Sequence, residues 1–304
     1  MPDEDRGAGT ATLTRGGRRR SDDRAGTLVL IGGACDPRGE AFGAFLDLAG
    51  ARDGGRIVGF TTASSRPLQS AHAWKNDFVA AGARNVEIPI VDRRDRAQDP
   101  RIAALVREAR GIFLGGGDQV QLVSTIGGSL LGRAIGEAFA AGAVVCGTSA
   151  GAAALSETIL AGGELDLAGA PVALHLGPGL GLLRFSSVVD THFSKRGRLQ
   201  RLFRRVAENP ELLGLGIDED TAFIVRGHLG EVVGTGAVTY VDGRAVRFDN
   251  AKEVLAGGAP LTLSHLRVGL VGAGYTFNLR ERELEVLLES EREELPSVKG
   301  DGAP

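Results

Sequence analysis

With 304 residues, 43% hydrophobic and 24% charged, the chain can bury a sizeable core as one large α/β domain or two small ones. A formal net charge of −3 and an aromatic content of 5% provide neither a global basic field nor an array of stacking rings, which argues against a nucleic-acid partner. The 46 glycines predict tight turns and close backbone approaches, and no stretch nears the ~18 apolar residues of a membrane span.

The chain begins with a polar stretch that carries "RGGRRR" at 15–20. The next residues are "SDDRAG" and not an apolar segment, so a secretory signal is rejected. Residues 1–26 read as a disordered polar tail. From position 27 onward, short apolar runs alternate with longer amphipathic ones. Runs at 27–33, 56–62, 85–91, 111–116 and 143–147 predict buried strands, and 40–51, 70–81, 99–110 and 129–141 predict helices between them. That alternation predicts a mostly parallel sheet with helices on both faces.

Beyond it, 162–181 ("GGELDLAGAPVALHLGPGLG") reads as a long irregular segment of the kind that shapes a site. A strand is expected at 186–190 and a basic helix at 197–208. Runs at 214–217, 221–225, 231–234 and 237–241, joined by short turns, predict a C-terminal antiparallel extension. A charged amphipathic helix is expected after Leu279, and 294–304 reads as a flexible tail. With neither a repeat nor a linker, residues 27–293 form one expected domain. Cys35 and Cys146 cannot build a disulfide framework and read as small core residues of a reducing, cytoplasmic compartment.

In parallel sheets the loops beyond the carboxyl ends of the strands carry function. This puts "GGGDQ" (115–119) and "GTSAG" (147–151) on one rim. The second is a Gly-x-Ser-x-Gly pattern after an apolar run and before "AAALS", the form of a nucleophile elbow. Its glycines permit a sharp turn that lifts the Ser149 hydroxyl to the rim. The Ala150 N–H would then face a developing oxyanion. A glycine-rich turn packed for its own sake is the competing reading of that pattern alone.

A serine hydroxyl needs a base, and His72, His175, His192, His228 and His265 are available. His192 closes the apolar run "FSSVV" in "DTHFSKRGR", at an expected strand end, and ranks first. His175, in the irregular segment, ranks second. His72 falls in a predicted helix, His228 in a hairpin turn, and His265 in an alternating strand as a structural residue. A carboxylate should orient the imidazole, and "GIDED" (216–220) offers Asp218, Glu219 and Asp220. Three adjacent acids also suit a solvated turn.

Together "GGGDQ", "GTSAGA", "DTHFSKRGRLQRL" and "GIDEDTA" resemble the cyanophycinases, serine exopeptidases of the peptidase family that also contains dipeptidase E. Matching segments run from "VLIGGACD" (29–36) through "TTASS" (61–65) to "HLRVGLVGAGYTFNL" (265–279), most of the chain. The resemblance implies an α/β, flavodoxin-like three-layer sandwich related to class I glutamine amidotransferases, a homodimer, and no metal or other cofactor. It implies Ser149 as nucleophile, His192 as general base and Glu219 as its orienting partner, with oxyanion N–H groups from Gly117 and Ala150. Gln119, Asp190, Arg196, Arg198 and Arg201 resemble substrate-binding positions, while Arg204 and Arg205 suit an ordinary solvated helix face.

The implied substrate, cyanophycin, is a polyaspartate backbone with arginine on each side-chain carboxyl, so a site for it must hold carboxylates and a guanidinium together. Arginine forks suit the former. Where the family usually reads Asp-Gln-His-Phe, this chain has Asp190-Thr191-His192-Phe193, and the shorter Thr191 bears on substrate choice. A dipeptidase E-like aspartyl peptidase and a non-catalytic binding protein on the same fold are the alternatives. An amidotransferase elbow would need Cys where Ser149 stands.

Overall fold

Leu28, Val29, Leu30 and Ile31 are all buried, so the strand they form must be packed on both faces. Leu28 and Leu30 enter one hydrophobic cluster and Val29 and Ile31 another, as the two-residue period of a pleated strand dictates. Each such side chain contributes roughly 1.5–3 kcal/mol on burial. The computed structural model describes residues 26–162, 174–257 and 260–285.

Strand β1 (Leu28–Ile31) is followed by α1 (Glu40–Leu48), β2 (Ile57–Phe60), α2 (Pro67–Ala80) and β3 (Val86–Glu87). Next come α3 (Pro100–Arg107), β4 (Gly111–Leu114), α4 (Gln119–Ile126), α5 (Leu130–Ala140), β5 (Val144–Thr148) and α6 (Ala150–Ala154). After these stand β6 (Thr158–Gly162), β7 (Leu174–Pro178), β8 (Ser187–Thr191), α7 (Leu199–Glu208) and β9 (Leu213–Ile217). The remainder is β10 (Thr221–Arg226), β11 (Leu229–Gly234), β12 (Ala237–Asp242), β13 (Phe248–Asp249), α8 (Ala251–Gly257), β14 (Leu263–Ser264), β15 (Arg267–Gly272), β16 (Thr276–Asn278) and β17 (Glu283–Glu285).

Helix starts reflect local chemistry. Asp99 caps α3 by accepting from Arg101 N–H, with Pro100 supplying the fixed φ of a first turn. Ser129 caps α5 through Gly132 N–H, and Asp118 caps α4 through Val120 and Gln121.

A nine-stranded sheet runs β17-β16-β11-β10-β1-β5-β4-β2-β3. Its β1-β5-β4-β2-β3 portion is parallel, and β10, β11, β16 and β17 extend it antiparallel. Helices cover both faces, as expected for the α/β class. Phe42 and Phe45 of α1 and Trp74 and Phe78 of α2 pack with Phe113 on one side. Ile102 and Val106 of α3 and Leu131 and Ile135 of α5 cover the other.

The second half departs from a simple extension. Strands β15-β12-β9-β8-β6-β7 form a separate six-stranded sheet, within which β6-β8 and β8-β9 pair in parallel. Val189, Leu215 and Val238 pack from it into the core shared with the first sheet. Leu202 and Val206 of α7 cover its opposite face over Val188 and Val241. Helix α4 and strand β6 are additions to the expected elements. Within 162–181, described residues form β7, and 163–173 lie outside the described residues. After Leu279 the chain turns and enters β17, so the first residues of the expected helix are turn and strand, and the rest of that expectation lies outside the described residues. Both expected tails fall outside the described residues, except Gly26.

Asp242, buried at the end of β12, ties distant segments together. It accepts from Arg244 at 3.0 Å and from Arg282 at 2.7 Å, and Arg282 also donates to the Glu211 carbonyl at 2.5 Å. Burial pushes the Asp242 carboxyl up, but the hydrogen bonds from Arg244 and Arg282 outweigh this and hold it below its ordinary value. Its contribution to stability is therefore full above about pH 4 and is lost as pH falls through the depressed value. Arg282→Ala should lower unfolding free energy by about 3 kcal/mol at neutral pH, because a buried charge loses a partner. Urea titrations should show that deficit shrinking as pH falls below 3.8.

Candidate active site

Strand β5 ends in Gly147 and Thr148, and the chain turns sharply at Ser149 into α6. Close packing explains the flanking glycines. A Cβ on Gly147 would stand 2.4 Å from the Gly151 carbonyl carbon, and one on Gly151 would stand 2.0 Å from the Leu114 oxygen. Ser149 adopts φ 52° and ψ −117°, a sparsely populated backbone state whose strain costs about 1–3 kcal/mol. It occupies the N-cap of α6, where serine usually caps the helix with its hydroxyl, yet no such bond forms. Its Oγ lies instead 2.9 Å from His192 Nε2.

His192 stands just after β8, and its Nδ1 lies 2.7 Å from Glu219 Oε1. An ionised carboxylate can only accept, so Nδ1 carries the proton and the neutral ring offers Nε2 as acceptor to the Ser149 hydroxyl. The ring is shielded, with 12% of its side-chain surface exposed against 32% for Glu219. The neighbouring acids serve the frame. Asp218 accepts from the backbone N–H groups of Ser194 and Ala237, and Asp220 from that of Asp36.

The carboxyl end of β1 holds all three segments. The Ile31 carbonyl accepts from Ser149 N–H at 2.9 Å, Gly32 from His192 N–H at 2.7 Å, and Gly33 from Asp220 N–H at 2.9 Å. Sequence reasoning missed this role. The glycine pair ending the apolar run "TLVLIGG" was its only signal.

A cleft of about 680 Å³ opens over Ser149, lined by ten of the eleven expected site residues. These are Gly117, Gln119, Ser149, Ala150, Asp190, Thr191, His192, Arg196, Arg198 and Arg201; Glu219 stands behind the imidazole. Gln119 is anchored by its Nε2, which donates to the Leu160 carbonyl at 2.5 Å. Asp190 is buried and pairs with Arg198 at 2.9 Å and Arg201 at 3.2 Å, while Arg198 also donates to the Thr191 carbonyl. One acid thus fixes the heads of two cations that line the cleft.

Other expectations are sorted by the same geometry. His175 stands in β7 opposite Ala161 and does not line the cleft. His265 is exposed in the bend between β14 and β15, not set within a strand. His72 is exposed in α2 and His228 lies in the β10–β11 turn, as expected. Arg205 is buried and pairs with Glu208, contrary to a solvated position, because its turn of α7 faces the second sheet. Arg204 is half-buried against the same glutamate. Burial, and then the charges of Asp220, Asp36 and Asp77, push the Cys35 thiol up to about 12, and burial also raises that of Cys146. Neither thiol is a ready nucleophile. Among the described residues no cluster of three or more His, Cys, Asp or Glu is grouped to hold a metal ion, and no helix is long and apolar enough to cross a membrane.

Residues 36–233 match peptidase family S51. A cyanophycinase from Synechococcus elongatus is 36% identical over 267 residues, covering 86% of this chain and 81% of that protein. A cyanophycinase from Geminocystis herdmanii (strain PCC 6308) is 33% identical over 261 residues, covering 84% of this chain and 95% of that protein. Among solved structures, a peptidase from an acI-B1 actinobacterium shares the fold with a TM-score of 0.61 at 21% identity, over 84% of this chain and 98% of that one. With the family match spanning most of its length and these relatives agreeing, the chain belongs to peptidase family S51 and is a serine peptidase.

Proposed function

We propose that this peptidase hydrolyses cyanophycin from an end, through an acyl-enzyme, to β-Asp-Arg dipeptides. The observation that carries the reading is the hydrogen-bonded Ser149–His192–Glu219 relay opening directly into an arginine-lined cleft. Ser149 Oγ attacks the scissile backbone carbonyl carbon while its proton passes to His192 Nε2. The oxyanion meets the backbone N–H groups of Ala150 and Gly117, both on the cleft wall beside Ser149. The C–N bond then breaks, the leaving amine takes the proton from His192, and an ester to Ser149 remains. Water gives its proton to the same imidazole as its oxygen attacks the ester carbon, and the imidazolium returns that proton to Ser149 Oγ as the ester C–O bond breaks and frees the enzyme. Glu219 keeps the ring in the required tautomer and stabilises the imidazolium.

Arg196, Arg198 and Arg201 supply guanidinium forks for substrate carboxylates. Asp190 is already paired with two of them, so in this reading it orients the forks, and Gln119 contributes an amide anchored at Leu160 to the cleft lining. The resemblance to cyanophycinases adds a cytoplasmic homodimer to this reading. Thr191 favours one second reading, a related peptidase acting on aspartyl dipeptides, because a short side chain stands where the family usually carries an amide.

Ser149→Ala should lower turnover by about 10⁶-fold with the fold intact; turnover surviving in that variant would remove Ser149 from the mechanism. Arg196→Ala, on an exposed part of the cleft wall, should raise KM for cyanophycin roughly tenfold through loss of a charged hydrogen bond. Its stability in urea should stay within about 0.5 kcal/mol of the parent, and an unchanged KM would exclude Arg196 from binding. Incubation with insoluble cyanophycin and, separately, with Asp-X dipeptides should release β-Asp-Arg from the former. Products from the dipeptides alone would favour the second reading.

A further inference from the structure

Gly33 presses its bare α-carbon against the imidazole of His192. A Cβ built there would lie 2.3 Å from Cε1, 2.4 Å from Nε2 and 3.0 Å from Nδ1, whereas ordinary contacts begin at 3.4 Å. We infer that Gly33 is a positioning residue for acyl transfer: the absent side chain sets how close the His192 ring lies to the end of β1, and with it the distance from Nε2 to Ser149. The inference rests on the roles proposed above for Ser149 and His192.

Two demands meet at this position, and they can be separated. The first is conformational, since φ is +101°, outside the small left-handed well near +60° that other residues enter. Conformation therefore already favours glycine at 33, whereas Ala34, with φ 44°, sits closer to that well, so the contact must be tested against a glycine of the same φ. The second is contact, and there the ring has nowhere to retreat. His192 N–H is bonded to the Gly32 carbonyl at 2.7 Å, Nδ1 to Glu219 and Nε2 to Ser149. Room for a methyl group made on the ring's side requires moving the ring by about 1 Å, which breaks the alignment of one or both ring bonds. A misplacement of that size costs on the order of 100-fold in rate.

Gly142 supplies a matched control, with φ +102°, an exposed position, and nothing within 4 Å of a built Cβ. Gly33→Ala should lower kcat on cyanophycin about 100-fold with KM within about threefold. It should slow labelling of Ser149 by a serine-directed phosphonate by a similar factor, while Gly142→Ala leaves both within about twofold. Thermal midpoints give an arm that does not need activity. Gly33→Ala should destabilise more than Gly142→Ala when His192 is present, and no more than it in a His192→Ala background, where the methyl finds the vacated space. If Gly33→Ala alone does not fold, folding of the Gly33→Ala/His192→Ala pair supports the inference and failure of the pair overturns it. Labelling of Gly33→Ala within threefold of the parent, or a stability loss indifferent to His192, overturns it as well. Absence of labelling at Ser149 in the parent defeats the catalytic roles and this inference together; a labelled parent with an equally labelled variant defeats only this one.

Discussion

Three consecutive backbone carbonyls, at Ile31, Gly32 and Gly33, hold the segments that carry the relay. β1 is flanked by β5 on one side and β10 on the other, with register ending at Ile31 opposite Thr148 and Ala222. Ile31 continues the β5 ladder by one bond to reach Ser149, and Gly32 N–H continues the β10 ladder to Thr221. The Gly32 carbonyl then turns to His192, at the end of β8 in the other sheet. The relay is thus assembled where two sheets meet: the hydroxyl comes from the first, the imidazole from the second, and Glu219 from the turn that joins β9 to β10. Backbone bonds of this kind are insensitive to side-chain rotamers, so side-chain geometry across the sheet boundary rests on a rigid frame.

That frame carries strain. Among the described residues, non-glycine positive φ occurs at Ala34, Ser149, His192 and Asp220 around the site, and elsewhere only at His265 and Arg282. Each is a cost that packing must offset, and the concentration at the ends of β1, β5 and β8 shows where the fold gives up stability to aim side chains. Buried charge obeys a similar logic. Asp190 and Asp242 are both buried and both hold arginines, at opposite ends of the second sheet's architecture. Such pairs gain little net stability over an apolar core. What Asp190 provides is direction, since it holds two guanidinium groups on the wall of the cleft.

Much of this is legible in the sequence, for definite reasons. The parallel half announces itself because its strands, the short edge strand β3 apart, are buried on both faces and appear as apolar runs, separated by helices whose starts carry Asp99, Ser129 and Pro100. Helix α4 is hard to see because "QVQLVST" is short and polar, although Asp118 marks its cap. The second sheet is obscured because its strands are glycine-rich, as at Gly214 and Gly216, where Leu202 and Phe193 fill the space a side chain would take. Ser149 and His192 can be found at strand ends because strand ends define the rim. Without the family resemblance, choosing Glu219 over Asp218 and Asp220 requires the turn geometry, and neither the contact of Gly33 with the imidazole nor the burial of Arg205 is visible before the chain is folded.

Strand alternation also separates two aspects of recognition along β8. Val188 packs under α7 and Val189 into the shared core, so Asp190 belongs to the α7 face and Thr191 to the face nearer Ser149. Arg198, at the start of α7, and Arg201, within it, meet Asp190 on that first face. A change at 190 therefore acts through the guanidinium groups that Asp190 holds. On the proposed mechanism, a change at 191 acts on the space beside Ser149 and bears on which group fits over the reacting carbonyl. In the proposed reading adjacent positions on one strand thus divide charge and shape between them, because the side chain at 191 points away from the face on which Asp190 holds the arginine forks.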